Sequence, residues 1–238
     1  MEGQHARVKF CGITRYEDAE FAVELGGWAI GMIFWPGSPR AVDPAMANRI
    51  AMSFRRQTEI AGVFVNPSLD EVTEVADIAH LTLIQLHGDE GPSFCAEVAR
   101  RTGARVIKAM RVRQLADVQA ISAFRTDFHL LDTYVPGVPG GTGETFDWEL
   151  ANRRTTPVPL IVSGGLDANN VGDAIAATRP YAVDVASGVE SAPGVKDHEA
   201  MRAFAHAAAH ADPSAPLSVA ETADALSAGS GETAAGGA

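Results

Sequence analysis

The sequence predicts a closed (β/α)8 barrel, and three observations support this fold class. Short continuous apolar runs alternate with segments of helical periodicity over residues 1–211, and such runs are typical of parallel strands covered on both faces. Eight runs are present, so the 211 residues divide into units of about 26 residues each. Right-handed crossovers over short loops place successive strands side by side, and eight units can close without an edge strand. An open doubly wound sheet is the alternative, but eight units without a terminal hairpin favour closure.

Each strand is assigned from its own apolar run, in chain order. The predicted strands are residues 7–11, 28–34, 60–65, 81–86, 105–110, 128–132, 159–163 and 182–186.

Helix ends are predicted from residues that suit the first or last turn. Thr14 with Glu17, and Ser68 with Glu71, have the spacing of a capping box. Pro92 suits a first helical turn, Gly103 suits a helix stop, and Asn170 suits a cap.

The final helical pattern is followed by a change in composition. It places Met201, Phe204, Ala205 and Ala208 on one face. Residues 212–238 are rich in Ala, Ser, Gly and Pro, which predicts a flexible tail after a catalytic domain at 1–211. A segment that docks on a partner is the alternative interpretation of this tail.

Composition and charge exclude several classes of protein. The net charge of −11 and the pI near 5.0 argue against binding to nucleic acid or to an anionic membrane. The longest apolar runs have only about eight residues, whereas a membrane span needs ~20. With two cysteines and no secretory signal pattern, a cytoplasmic protein with reduced thiols is predicted.

The carboxyl ends of the barrel strands are where an active site is expected. Cys11 ends the first strand, and Lys9 on the same strand face favours a functional thiolate, although a buried inert cysteine is the alternative. Asp132 ends the sixth strand and could act as an acid, or simply as a cap or salt-bridge partner. Cys95 falls inside a predicted outer helix and is expected to be structural.

Glycines after the last two strands predict an anion site, because their backbone N–H groups can approach a phosphate closely. Ordinary tight turns are the alternative. The glycines concerned are Gly164 and Gly165 after the seventh strand and Gly188, next to Ser187, after the eighth. Residues 139–144 also look like a phosphate loop, although glutamate follows Gly143 where a Walker loop has lysine.

No cofactor or metal is predicted. A Gly-x-Gly-x-x-Gly after the first strand, which a dinucleotide site would need, is missing. His206 and His210 have a helical i, i+4 spacing, but no catalytic glutamate adjoins them, so we expect a solvated face rather than a metal site.

The strand ends together resemble the phosphoribosylanthranilate isomerase family of tryptophan biosynthesis. Each motif alone is weak, but the ordered series, which spans about residues 7–208, is specific. The matching segments are KFCGIT (9–14), GMIF (31–34), SPR (38–40), GVFVN (62–66), IQLHG (84–88), LD (131–132), GGTG (140–143), FDW (146–148), SGGL (163–166) and DVASGVE (184–190).

The resemblance implies a metal-free Amadori rearrangement of a phosphorylated small-molecule substrate. It assigns Cys11 as general base, Asp132 as general acid and Arg40 as the residue that binds the anthranilate carboxylate, with His87 beside the substrate. The remaining substrate-binding residues it implies are Asp184 and the phosphate-loop residues Gly164, Gly165, Ser187 and Gly188. Ala186 stands where the family often has serine, which puts one side-chain contact in doubt. Either a monomer or a homodimer is expected.

Two other functions remain open from the sequence. A dual-substrate barrel would also isomerise the related histidine-pathway aminoaldose, but such enzymes usually place an aspartate where Cys11 stands. A catalytically inert barrel that binds a phosphorylated ligand needs neither Cys11 nor Asp132.

Overall fold

The computed structural model describes residues 6–133 and 148–212, and its centre is a closed barrel of eight parallel strands. The strands follow one another around the barrel in chain order, and the first pairs with the last. They are β1 (Arg7–Cys11), β2 (Ala29–Ile33), β3 (Glu59–Phe64), β4 (Leu83–Leu86), β5 (Arg105–Val112), β6 (Phe128–Thr133), β7 (Leu160–Val162) and β8 (Ala182–Val185). The predicted fold class is confirmed, and all eight predicted strands are present.

Helices cover the outside of the barrel. They are α1 (Tyr16–Glu24), α2 (Pro44–Phe54), α3 (Leu69–Ile78), α4 (Pro92–Thr102), α5 (Leu115–Ala120), α6 (Val171–Thr178) and α7 (His198–His210). Ahead of β7 the described chain forms a 3₁₀ helix, Trp148–Arg153. In α7, Met201, Phe204 and Ala208 are buried as predicted, while Ala205 is only half-buried.

Three predicted helix ends are confirmed. The Ser68 hydroxyl accepts a hydrogen bond of 3.2 Å from the Glu71 amide at the start of α3. Pro92 is the first residue of α4, where its missing N–H group has no cost. Gly103 ends α4 in the left-handed conformation, at φ = 69°, which glycine adopts without strain.

The predicted cap at Thr14 is wrong, and the one at Asn170 is confirmed in position only, because both side chains make other contacts. The Thr14 hydroxyl donates to the carbonyl of Gly194 at 2.5 Å, and α1 is preceded instead by Arg15. Asn170 is the N-cap residue of α6, but its side chain makes no capping hydrogen bond. Its side chain donates to the carbonyl of Gly165 at 2.8 Å and so fixes the loop after β7.

The apolar core has two parts. A large cluster fills the space between the sheet and the helices, and Cys95 lies within it. A smaller cluster fills the barrel interior, where alternate strand residues point. Trp28 and Tyr181 close the amino-terminal end of this interior, with ring centroids 5.4 Å apart in an edge-on arrangement. The cavity that contains the predicted site residues opens at the opposite end.

The loop between β8 and α7 contains an element that the sequence did not predict. A short antiparallel hairpin consists of β9 (Glu190–Ala192) and β10 (Val195–Lys196). Its turn includes Gly194 at φ = 78°. The hairpin is a separate two-stranded sheet, so it does not interrupt the closed barrel.

Two sequence predictions fall outside the described residues. They are the possible phosphate loop at 139–144 and the tail at 212–238, of which only residue 212 is described. Within the described ranges, none of the helices combines the length and the apolar character that crossing a membrane requires.

Candidate active site

A cavity opens at the carboxyl ends of the barrel strands, and its empty space, including the part open to solvent, is about 830 Å³. The structure brings all nine predicted site residues to its lining, although they come from six different parts of the chain. These are Cys11, Arg40, His87, Asp132, Gly164, Gly165, Asp184, Ser187 and Gly188.

Cys11 lies on the floor of the cavity in a chain of polar contacts. The ammonium of Lys9 is 2.5 Å from Oδ1 of Asp184, and the hydroxyl of Ser163 donates to Oδ2 of the same carboxylate at 2.9 Å. Lys9 and Cys11 also interact, because Cys11 raises the pKa of Lys9 and Lys9 lowers that of Cys11. Gly31 leaves the room for this arrangement, because a Cβ atom there would lie only 2.9 Å from the Cys11 sulfur.

The electrostatics of this group differ from the simple expectation of a lysine that stabilises a thiolate. Burial and the Asp184 carboxylate raise the pKa of the Cys11 thiol, and together they outweigh Lys9 and Lys196, which act in the opposite direction. Burial alone would lower the pKa of Lys9, but Asp184 and Cys11 raise it above the ordinary lysine value. The resting site therefore favours a neutral thiol, whose thiolate is a strong base once formed.

Asp132 faces the cavity from the end of β6 and is only 7% exposed. Its Oδ2 lies 3.2 Å from Nε2 of His87, and Nδ1 of His87 lies 3.2 Å from the side-chain nitrogen of Gln85. Cys11 and Asp132 stand on β1 and β6, which β7 and β8 separate. A thiol and a carboxyl group therefore face one ligand space from different strands.

A buried ion pair supports the loop that carries His87. The ammonium of Lys108 on β5 lies 2.7 Å from Oε2 of Glu90 and donates to the carbonyl of Gly88 at 2.7 Å. The Glu90 carboxylate also accepts the backbone N–H groups of Gly88 and Asn66. This network fixes the turn directly after His87.

Arg40 reaches the cavity from the loop after β2, and its guanidinium is held by Glu190. Nε lies 2.9 and 3.0 Å from the two carboxylate oxygens, and Nη2 lies 2.8 Å from Oε2. Glu190 was part of a recognised motif, yet nothing in the sequence predicted this pairing, which joins residues 150 positions apart.

The glycine-rich loops after β7 and β8 lie together at the rim. Gly164 and Gly165 both have positive φ, at 91° and 63°, a conformation that can turn N–H groups toward an anion. Gly188 packs directly on the carbonyl of Leu166, where any Cβ atom would overlap it. These two loops can therefore present backbone N–H groups to an anion at one place.

Sequence reasoning missed several residues that line the cavity. Arg111, at the end of β5, pairs in register with Asp132 and adds a second guanidinium. Its position at a strand end was the signal that could have found it. The apolar wall is formed by Ile33, Trp35, Val63, Val65 and Leu166.

The described residues contain no group of three or more His, Cys, Asp and Glu side chains suited to a metal ion. His206 and His210 stack on each other along the outer helix α7, with ring centroids 4.0 Å apart.

Comparison with known proteins identifies the family. A family model described as N-(5'-phosphoribosyl)anthranilate isomerase matches residues 8–207. The chain belongs to this family. Its members are isomerases of tryptophan biosynthesis.

Individual phosphoribosylanthranilate isomerases are similar over most of their length. The enzyme from Pseudomonas putida KT2440 is 48% identical over 205 residues, which cover 85% of this chain and 97% of that protein. The enzyme from Geobacter sp. M21 is 46% identical over 198 residues, which cover 83% of this chain and 95% of that protein.

Solved structures of the family share the fold. The phosphoribosylanthranilate isomerase of Thermotoga maritima has a TM-score of 0.77 and 41% identity, and covers 85% of this chain and 98% of its own. A family structure in complex with reduced 1-(o-carboxyphenylamino)-1-deoxyribulose 5-phosphate has a TM-score of 0.74 and 39% identity. The match covers 85% of this chain and 98% of that one.

Proposed function

We propose that this cavity converts N-(5'-phosphoribosyl)anthranilate into 1-(2-carboxyphenylamino)-1-deoxyribulose 5-phosphate, with Cys11 as general base and Asp132 as general acid. The observation that carries the proposal is the meeting of a buried thiol and a nearly buried carboxyl group in one cavity. General acid–base catalysis needs two such groups on different sides of the substrate.

The lining suits the two ends of this substrate. The phosphate binds at the loops that contain Gly164 and Gly188, where backbone N–H groups are available. The anthranilate ring packs on the apolar wall that includes Trp35 and Val63, and its carboxylate binds Arg40. The family structure that contains the reduced product supports this class of ligand.

The first chemical step opens the ribose ring. Asp132, as a carboxylic acid, donates its proton to the ring oxygen while the C1–O bond breaks and the nitrogen lone pair forms an iminium. His87, 3.2 Å from the carboxyl oxygen, positions this group. Because Asp132 is shielded from water, its proton transfer is directed to the substrate.

The second step moves the proton from C2. The iminium makes this proton acidic. Cys11, whose thiol proton has first passed to solvent, removes it as the thiolate to give an enolamine. Protonation at C1 and loss of the O2 proton then yield the aminoketose, so no electron leaves the substrate and no net proton is consumed. Lys9 stabilises the thiolate as it forms, and Asp184 holds Lys9 in place.

An assay on the purified full chain tests this proposal. Turnover of phosphoribosylanthranilate, without turnover of the histidine-pathway aminoaldose, is expected. Turnover of both substrates would show the dual-substrate enzyme, and binding of the phosphorylated compounds without turnover would show an inert barrel. The thiol of Cys11, at the place where dual-substrate enzymes usually have aspartate, favours the first outcome.

We propose a cytoplasmic location and no nucleic-acid, membrane or cofactor partner, on the composition and charge given above. For the assembly, a monomer or a homodimer is proposed. A structure described as monomers generated from the dimeric Thermotoga maritima enzyme is a relevant relative, at 39% identity and a TM-score of 0.74.

A further inference from the structure

Three charged side chains form a buried cluster beside the cavity. Arg40, Glu190 and Lys196 have side-chain exposures of 13%, 4% and 0%. Glu190 bonds Nε and Nη2 of Arg40 and is 2.9 Å from the ammonium of Lys196, which also donates to the carbonyl of Ala186 at 2.8 Å. Lys196 and the guanidinium thus hold the carboxylate from two sides.

The cluster is attached to the first βα loop through the unpredicted hairpin. Glu190 begins β9 and Lys196 ends β10. The hairpin turn accepts a hydrogen bond from Thr14, and the Lys196 amide donates to Asp18 at 3.2 Å. These contacts fix the Glu190 carboxylate relative to β1, and therefore relative to Cys11.

The geometry leaves one side of the guanidinium for a ligand. A free arginine side chain rotates, but two parallel contacts with a carboxylate fix the plane of its guanidinium. Within the described part of the chain, Nη1 of Arg40 makes no hydrogen bond. With Lys196 as ammonium, two cations and one carboxylate leave a single positive charge at this end of the cavity.

We propose that Glu190, held by Lys196, is a positioning residue that orients Arg40 to bind one carboxylate of the substrate. This inference rests on the proposed function. Under this proposal, selection of the 2-carboxyphenyl group depends on Glu190, which does not itself touch the substrate.

Two probes test the proposal by calorimetric titration of the full chain. One is 1-(2-carboxyphenylamino)-1-deoxyribitol 5-phosphate, and the other is the phenylamino compound without the carboxyl group. Wild-type protein is expected to prefer the carboxylated probe at least tenfold. In Glu190→Gln this preference falls by at least fivefold, while affinity for the probe without the carboxyl group changes less than threefold. Glu190→Asp, which keeps the charge, recovers part of the preference.

A double variant separates orientation from charge and guards against misfolding. Glu190→Gln alone leaves two neighbouring buried cations without their shared partner, which can prevent folding. Glu190→Gln with Lys196→Met removes that repulsion and still leaves one positive charge, on Arg40. If total charge alone sets the preference, the double variant keeps it. The proposed orientation predicts that it is lost.

The outcomes distinguish this inference from the function on which it rests. If the Arg40→Ala variant keeps the wild-type preference for the carboxylated probe, Arg40 does not bind the carboxylate. Carboxylate binding by Arg40 and its positioning by Glu190 would then both be wrong. If Arg40→Ala loses the preference and Glu190→Gln and the double variant keep it, only the positioning role is overturned. Equal weakening of both probes in the Glu190 variants would also overturn it, because a merely structural role affects both.

Discussion

Replacement of Cys11 by serine should abolish nearly all turnover and leave the fold intact. Serine is smaller than cysteine, so it cannot overpack the floor of the cavity, where Cys11 is only 5% exposed. The Lys9 ammonium remains available to donate to the new hydroxyl. A hydroxyl is a far poorer proton acceptor than a thiolate at neutral pH.

The size of the effect follows from the role of the group. A positioned general base contributes roughly 10²–10⁴-fold in rate. Such a loss corresponds to about 2.7–5.4 kcal/mol of transition-state stabilisation. Because Cys11 contacts neither the phosphate loops nor Arg40 in the proposed arrangement, affinity for the reduced product should change less than threefold. The loss is therefore expected in kcat.

Steady-state turnover, with a parallel titration of the reduced product, measures both quantities. Cys95→Ser is the matched control, because Cys95 is equally buried but lies on α4, away from the cavity lining. The control should keep wild-type kcat. Cys11→Ser that turns over within threefold of the wild type would show that another group removes the C2 proton.

The protonation state of Cys11 gives an independent check. Burial and Asp184 raise the pKa of this thiol, so its titration should lie above the ordinary thiol value of about 8.5. Thiolate absorbance in the Cys95→Ser variant measures Cys11 alone. The pKa shift is upward because the folded protein favours the protonated thiol. A titration midpoint at or below the ordinary thiol value would contradict the arrangement of Lys9 and Asp184 described here.

Three further predictions test other parts of the site and the chain. Asp132→Asn cannot donate a carboxyl proton, so kcat should fall at least ~100-fold while the reduced product still binds; normal turnover would remove Asp132 from the mechanism. Gly188→Ala must displace the loop that packs on the Leu166 carbonyl, so KM and the inhibition constant for inorganic phosphate should both rise more than tenfold. The control is Gly172→Ala, where the added methyl group meets open space, and it should leave both constants unchanged. Deletion of residues 213–238 should leave kcat unchanged and the melting temperature within about 2 °C, since the composition of this segment predicts little packing; a fall of many degrees would show that it packs on the barrel.

The eight strands could be located from the sequence because each is a continuous apolar run. A parallel barrel buries both faces of every strand, so the pattern is local and complete within each segment. The same reasoning located the strand ends, and with them Cys11 and Asp132. The helix ends at Ser68 and Gly103 were also local, since their signals depend only on neighbouring residues.

The sequence failed where a side chain is used by a distant segment. Thr14 has good capping spacing, but its hydroxyl binds the hairpin turn at Gly194, 180 residues away along the chain. Lys9 was recognised as a neighbour of Cys11, but burial of the thiol and the Asp184 carboxylate, which lies 175 residues from Lys9 along the chain, outweigh its effect and raise the pKa of Cys11. Spacing along the chain contains no information about such partners.

The sequence by itself thus determined the barrel, its strand order and the nine residues that meet at its mouth, because strand register places every strand end on one rim. Only the tertiary structure decided how those residues are oriented and charged. The pairing of Arg40 with Glu190, and the raised pKa of Cys11, depend on burial and on contacts between segments more than 100 residues apart. Electrostatic energies depend on the distances between charged groups and on the exclusion of water around them. Both are set only when the barrel has folded.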